Sequence, residues 1–249
     1  RPAVHKYIAA SRKRMFINAK RKIENYIKTS PDTKRNLFID CGSNVGQGFD
    51  FFSKFFTPGE YNYYLIEPNP HCEKVLRKIV DEHKDKCSMD FINKAVCAES
   101  GTIEMLGFDD DELSQACSII PEKGSGIRSK QFNSSFVVEK LKFPDFIKQE
   151  SLQYDKIIVK MDIEGAEYLI LPNMLEFLKK KKPTIYLSTH PTFMSNPKKS
   201  MKKIYDVIKI YDNIYDDRLR KVEHEFILSE DKMKRGTQVI VSEKKLVPK

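Results

Sequence analysis

The sequence predicts an α/β domain built on a mostly parallel sheet, and three observations predict it. Beyond Pro31, short β-rich runs alternate with stretches of helical periodicity, the pattern of strands joined by crossover helices. One run, Leu37-Phe-Ile-Asp-Cys41, passes straight into the small-residue turn Gly42-Ser-Asn-Val-Gly46. Another, Lys156-Ile-Ile-Val-Lys-Met161, is followed at once by the acidic Asp162-Ile-Glu-Gly-Ala-Glu167. Polar residues gathered where apolar strands end are what a ligand crevice at the carboxyl edge of an open sheet requires.

The elements follow in order. Val4, Tyr7, Ile8, Met15, Phe16, Ile23, Tyr26 and Ile27 recur at helical spacing between basic residues, so residues 1–31 are expected to form a basic amphipathic helix that stops at Ser30-Pro31. Residues 32–249 are expected to form the domain proper. Leu37 to Cys41 reads as a buried strand, Gln47 to Phe55 as a helix, and Tyr63 to Glu67 as a strand stopped by Pro68-Asn69-Pro70. Pro70 to Glu82 reads as a helix, and Met89 to Val96 and Thr102 to Phe108 as strands on either side of the turn Glu99-Ser100-Gly101. Asp109 to Lys130 is irregular and polar, a length of loop that points to function or mobility. Phe136 to Leu141 is expected to be a strand, Phe143-Pro144-Asp145 opens a short helix, and Lys156 to Asp162 is a β-branched buried strand. A helix from Ala166 to Lys180, a strand from Thr184 to Ser188, a helix from Lys199 to Ile210, and strands near Glu225 to Leu228 and Gln238 to Val241 complete the reading.

Composition bounds the functional classes. A chain of 249 residues with 40% hydrophobic content suffices for one substantial core, and no apolar run is long enough to span a bilayer as a helix. Arg1-Pro2-Ala3, with no initiator methionine, is the start expected of a processed or renumbered chain or of a segment excised from a longer polypeptide, and excision, with an upstream domain as one candidate partner, is the preferred reading. Cys41, Cys72, Cys87, Cys97 and Cys117 are odd in number and show no paired spacing, which argues against a disulfide framework or a zinc site and for a cytoplasmic setting. The formal charge of +9 would suit nucleic acid, but the lysine excess is spread along the chain as on a solvated surface.

Glycines at 42 and 46 would let the backbone pass close to a ligand, and the helix that follows offers free amide donors. The spacing is not Gly-x-Gly-x-x-Gly, which speaks against a dinucleotide. Glu67, one crossover later at the end of the second strand, is placed to accept hydrogen bonds from both hydroxyls of a ribose. Asp162, Glu164 and Glu167 gather where the crevice should lie, and capping of the helix that begins near Gly165 accounts for one of the three.

These residues resemble a known family. Asp40-x-Gly-x-Asn-x-Gly46, Ile66-Glu-Pro-Asn-Pro70 and Lys160-Met-Asp-Ile-Glu-Gly-Ala-Glu167, in this order and spacing, are similar to the motifs of FkbM-type methyltransferases, a likeness that covers about Asn36 to Ser242. The resemblance implies a Rossmann-like class I methyltransferase fold, with a seven-stranded, mostly parallel sheet whose last strand is antiparallel, and S-adenosylmethionine as cofactor. It implies further that Asp40, Gly42, Ser43, Asn44 and Gly46 surround the methionine half of the cofactor, that Glu67 holds the ribose, that Lys94 and Ala95 contact the adenine, and that Asp162 borders the same pocket. A hydroxyl of a sugar or glycan is the acceptor it suggests.

A sugar hydroxyl is a poor nucleophile until its proton is drawn off, so a base or a metal belongs nearby. His190, in Ile185-Tyr-Leu-Ser-Thr-His-Pro191, lies just past a predicted central strand and is the candidate base, with an acidic kinetic limb near the ordinary histidine value of about 6.5. Asp162 and Glu164 have three candidate roles: orienting His190, binding the acceptor, or coordinating a divalent cation with it. A ribose 2′-O-methyltransferase of RNA is the rival enzyme, but Ser188-Thr189-His190-Pro191 stands where such enzymes carry a lysine. A methyltransferase fold serving only as a scaffold is the other alternative, and intact glycine, ribose and acidic motifs argue against it.

Overall fold

The computed structural model describes residues 35–107, 117–119 and 133–245. The expected helix over residues 1–31 and all but residues 117–119 of the irregular 109–130 stretch lie outside the described residues. In chain order the strands are β1 (Asn36–Cys41), β2 (Tyr61–Ile66), β3 (Met89–Ile92), β4 (Ala95–Cys97), β5 (Gly101–Gly107), β6 (Ser134–Lys142), β7 (Lys156–Met161), β8 (Thr184–Thr189), β9 (Asn213–Asp216) and β10 (Thr237–Ser242). The α-helices are α1 (Gln47–Phe52), α2 (Glu73–His83), α3 (Phe143–Glu150), α4 (Glu167–Ile170), α5 (Leu175–Lys181), α6 (Pro197–Ile208) and α7 (Glu230–Arg235).

Seven strands form the main sheet in the order β3-β2-β1-β7-β8-β10-β9, and β10 runs antiparallel to both of its neighbours. The chain leaves β1 toward β2 and β3 on one side and returns to β7 and β8 on the other. The strand order therefore reverses between β1 and β7, where an open α/β sheet leaves a crevice at its carboxyl edge. Helices cover both faces, so β1 is buried along almost its whole length. Alternation along the strands feeds two cores. Leu37, Ile39, Ile157 and Val159 pack with α3, α5 and α6 on one face, and Phe38 and Ile158 pack with Phe49, Phe52 and Leu76 on the other.

Tertiary context corrects the sequence reading at four places. The expected strand Met89 to Val96 is two strands, β3 in the main sheet and β4 in a small sheet of order β4-β6-β5. The break falls at Asn93, whose amide leaves the strand to donate to the Glu67 carbonyl at 2.8 Å. The expected helix from Ala166 to Lys180 is split into α4, a 3-10 turn over Leu171–Met174, and α5, because Pro172 has no N–H to continue the ladder. The helix after the glycine turn ends at Phe52 rather than Phe55. The late strand expected at Glu225 to Leu228 is a 3-10 turn over His224–Leu228, and the strand is β9, whose Asn213-Ile-Tyr-Asp216 is fully buried against β10. Only two of those four residues are apolar, so local pattern gave the segment no strand signal. Among the described residues no helix is long and apolar enough to cross a membrane.

Candidate active site

The turn after β1 is shaped by protein contacts. Gly42 and Ser43 both donate their backbone N–H to the Ile66 carbonyl, at 2.9 and 3.1 Å, which ties the turn to the end of β2. Gly42 has φ +80°, and a Cβ there would lie 2.0 Å from the Asp162 carbonyl oxygen. Gly46 has φ +90°, and a Cβ there would lie 2.4 Å from Ile79 Cδ1 of α2. Both positions need glycine for left-handed backbone and for close packing within the chain. Ser43 is buried, and its hydroxyl donates to the Asp40 carbonyl at 2.9 Å.

Glu67 sits at the tip of β2, 7% exposed. One carboxylate oxygen accepts the N–H of Asn44 at 2.8 Å and the other that of Asn69 at 2.9 Å. Burial raises its pKa above the ordinary carboxylate value, and these two amides pull it back in part. A cavity of about 870 Å³ opens over the strand ends, and Gly42, Asn44, Glu67, Ala95, Asp162, Glu164 and His190 all line it. Asp40, Ser43, Gly46 and Lys94 stand outside its lining. Asp40 is fully buried beneath the floor, and Lys94 turns away to pair with Glu139 at 2.7 Å.

Past β7 the chain turns through Glu164 (φ +53°) and Gly165 (φ +99°) into α4. A glutamate in left-handed backbone is held against its own preference, as residues at working sites often are. The fully buried Glu167, first residue of α4, accepts the N–H of Gly165 at 3.3 Å and of Ile163 at 3.4 Å, so it braces the turn before α4 rather than capping the helix, whose N-cap Ala166 has no side-chain hydrogen bond. The same oxygen lies 3.1 Å from His190 Nδ1. A carboxylate can only accept, so Nδ1 carries the proton and Nε2 is turned toward the cavity. There Nε2 lies 3.3 Å from Asp162 Oδ1 and 3.8 Å from Glu164 Oε2. Burial pushes the imidazole's pKa down, but the hydrogen bond to Glu167 and the charges of Glu164, Glu167 and Asp162 outweigh it and raise the value to about 9. This corrects the expectation of an ordinary value near 6.5 and means that His190 rests as an imidazolium at neutral pH.

Residues 40–219 match the Methyltransferase FkbM domain family. The chain belongs to the FkbM methyltransferase family. Among solved structures, an FkbM methyltransferase from Methylobacillus flagellatus is similar, with a TM-score of 0.51 and 14% identity over 86% of this chain and 45% of that one. The CurJ carbon methyltransferase gives a TM-score of 0.42 and 8% identity over 87% of this chain and 50% of that one. An O-methyltransferase of a Brevibacillus brevis trans-AT PKS multienzyme, in complex with S-adenosyl-L-homocysteine, gives 0.38 and 7% over 90% and 70%. The FkbM chain thus spans about half the length of the first two structures. No curated protein matches it significantly. The family and the seven-stranded sheet with its antiparallel β10 together give the chain the Rossmann-like fold of class I methyltransferases.

Sequence reasoning quoted Lys160 only as part of a motif. In this FkbM chain its ammonium lies 3.0 Å from Asp40 Oδ1, donates to the Gly42 carbonyl at 2.5 Å and lies 3.9 Å from Asp162 Oδ2. Burial alone would lower its pKa, and Asp40 and Asp162 more than reverse that, so it stays charged. A lysine inside an apolar strand was the available signal, since a buried ammonium demands partners. Gly48 was also missed: a Cβ there would lie 2.5 Å from Asp40 Oδ2, so the bare helix position makes room for that carboxylate. The cavity is lined as well by Phe51, Phe52 and Tyr186, whose rings meet at Phe52, and by Gln47 and Gln238.

Proposed function

We propose that the chain transfers a methyl group from S-adenosylmethionine to a hydroxyl of a sugar or glycan. One observation carries this reading: the cavity holds at once a buried acidic acceptor at the tip of β2, Glu67, and a histidine tethered from behind by Glu167. A carboxylate has about four lone-pair positions, and Glu67 uses two on backbone amides, which leaves acceptors for a ribose diol. Gly42, Asn44, Ala95 and Asp162 would complete the cofactor's surroundings, and the cavity is within the size range of small-molecule sites.

When bound, S-adenosylmethionine supplies an electrophilic methyl group on a sulfonium. The chain's task is the acceptor's proton. His190 takes it at Nε2 once its own proton there has left, Glu167 fixes the ring through Nδ1, and Asp162 and Glu164 stabilise the resulting imidazolium. Flat aromatic rings beside amide donors and acceptors suit a polyhydroxylated ring, which supports a sugar acceptor. An odd number of cysteines without paired spacing supports a cytoplasmic setting.

A second reading has its own observation. Asp162, Glu164 and His190 each offer a ligand atom, all within 4.8 Å of one another, so the same side chains would hold a divalent cation with Glu167 behind the imidazole. Release of S-adenosylhomocysteine is measured for the purified chain against a panel of free and linked sugars, with RNA as control and with or without chelator. Turnover with a sugar is expected. Turnover with RNA alone overturns the glycan reading, and activity abolished by chelator and restored by Mg²⁺ or Mn²⁺ selects the cation.

A further inference from the structure

We propose that Lys160 is a positioning residue that joins the cofactor turn to the His190 cluster, holding the Gly42 carbonyl and the Asp162 carboxylate with one ammonium. The proposal rests on the methyltransferase reading of the cavity.

Strand register places the lysine. Asp40 of β1 and Lys160 of β7 are ladder partners, and both side chains emerge on the face that carries Phe38 and Ile158. A buried ion pair alone would explain their presence, and such a pair usually adds little over an apolar pair of the same shape. An ammonium has three protons, however, and its ion pair with Asp40 at 3.0 Å does not use them all. The Gly42 carbonyl accepts one of them, and the ammonium is 3.9 Å from Asp162 Oδ2. Gly42, Asp162 and Lys160 itself all line the cavity.

The ammonium adds to contacts that already press the turn against the end of β7. The Asp162 N–H donates to the Cys41 carbonyl at 3.1 Å, and Gly42 packs on the Asp162 carbonyl so closely that no Cβ fits. Asp162 then turns its other oxygen to His190 Nε2 at 3.3 Å. The result is a row of alternating charge, Asp40, Lys160, Asp162, His190 and Glu167, running from beneath the cofactor turn to the acceptor side. Without the ammonium, the Gly42 carbonyl loses its donor and Asp162 loses the cation that sets its orientation.

Lys160→Met alone would strand the Asp40 charge and put folding at risk, so the test uses Asp40→Asn and the double variant Asp40→Asn/Lys160→Met. Binding of S-adenosylhomocysteine is measured by calorimetry, and the imidazole ¹⁵N signals of His190 by NMR, assigned with His190→Gln. Relative to Asp40→Asn, the double variant is expected to fold, to bind S-adenosylhomocysteine about tenfold more weakly or worse, and to shift the His190 signals. A double variant that matches Asp40→Asn in affinity and in His190 signals overturns the proposal and leaves only a structural ion pair. Wild-type protein that takes up no S-adenosylhomocysteine overturns the functional reading and this proposal with it.

Discussion

The three carboxylates around His190 make a prediction that can be worked through in numbers. Its pKa is about 9 in the folded chain, against 6.5 for the unperturbed side chain. At about 1.4 kcal/mol per pH unit, the gap corresponds to roughly 3 kcal/mol of folding free energy. The folded value is the higher one, so the contribution is fully present below 6.5 and is lost as pH rises through 9. The perturbation is His190→Gln, which leaves Asp162, Glu164 and Glu167 facing one another without their cation. Urea denaturation of both proteins in the presence of chelator should give a stability gap of about 3 kcal/mol near pH 5.5 that closes almost completely by about pH 10. Taking the difference between the two proteins cancels the lysines and tyrosines that titrate in the same range. In turnover, the neutral imidazole needed to accept a proton is scarce at neutral pH, so the rate should climb toward pH 9, with no acid limb near 6.5. A stability gap that does not vary with pH would show that the imidazole does not sit among these carboxylates, and an acid limb at 6.5 would refute the shift.

Other substitutions test the rest of the site. Glu67→Gln replaces one acceptor oxygen with an N–H₂ that faces a backbone donor, and S-adenosylhomocysteine affinity measured by calorimetry should fall by roughly 1.5–3 kcal/mol. Unchanged affinity would move the cofactor away from β2. Gly42→Ala adds a backbone clash to left-handed strain and should cost about 3 kcal/mol or more in urea denaturation. Gly46→Ala meets only the end of the Ile79 side chain, so Ile79→Val should recover part of its loss and leave about 1–2 kcal/mol of strain. Equal cost at the two glycines would contradict the contacts described for them.

Some of this site could be read before any coordinates. Glu67 and His190 stand directly after strands, and a polar side chain at a strand's carboxyl end has few places to go except the crevice. Asp162 and Glu164 were legible for the same reason. Ser43 and Lys94 could not be told from cavity residues by their neighbours in sequence, because one residue's rotation along a turn decides between the pocket and the packing beneath it. That Lys160 lies beside Asp40, with α1, bare at Gly48, above it, was not legible, because register across the sheet brings them together.

The sequence by itself determined the alternation of strands and helices, the glycine turn and the acidic strand end, since each is written in residues that are neighbours along the chain. Only the tertiary structure decided that Lys160 belongs to Asp40 and Gly42, that Glu167 stands behind His190, and that the imidazole rests charged. Periodicity reports which face of a strand is buried, but not what lies across the sheet. A buried charge takes its pKa from neighbours that only the folded chain brings near.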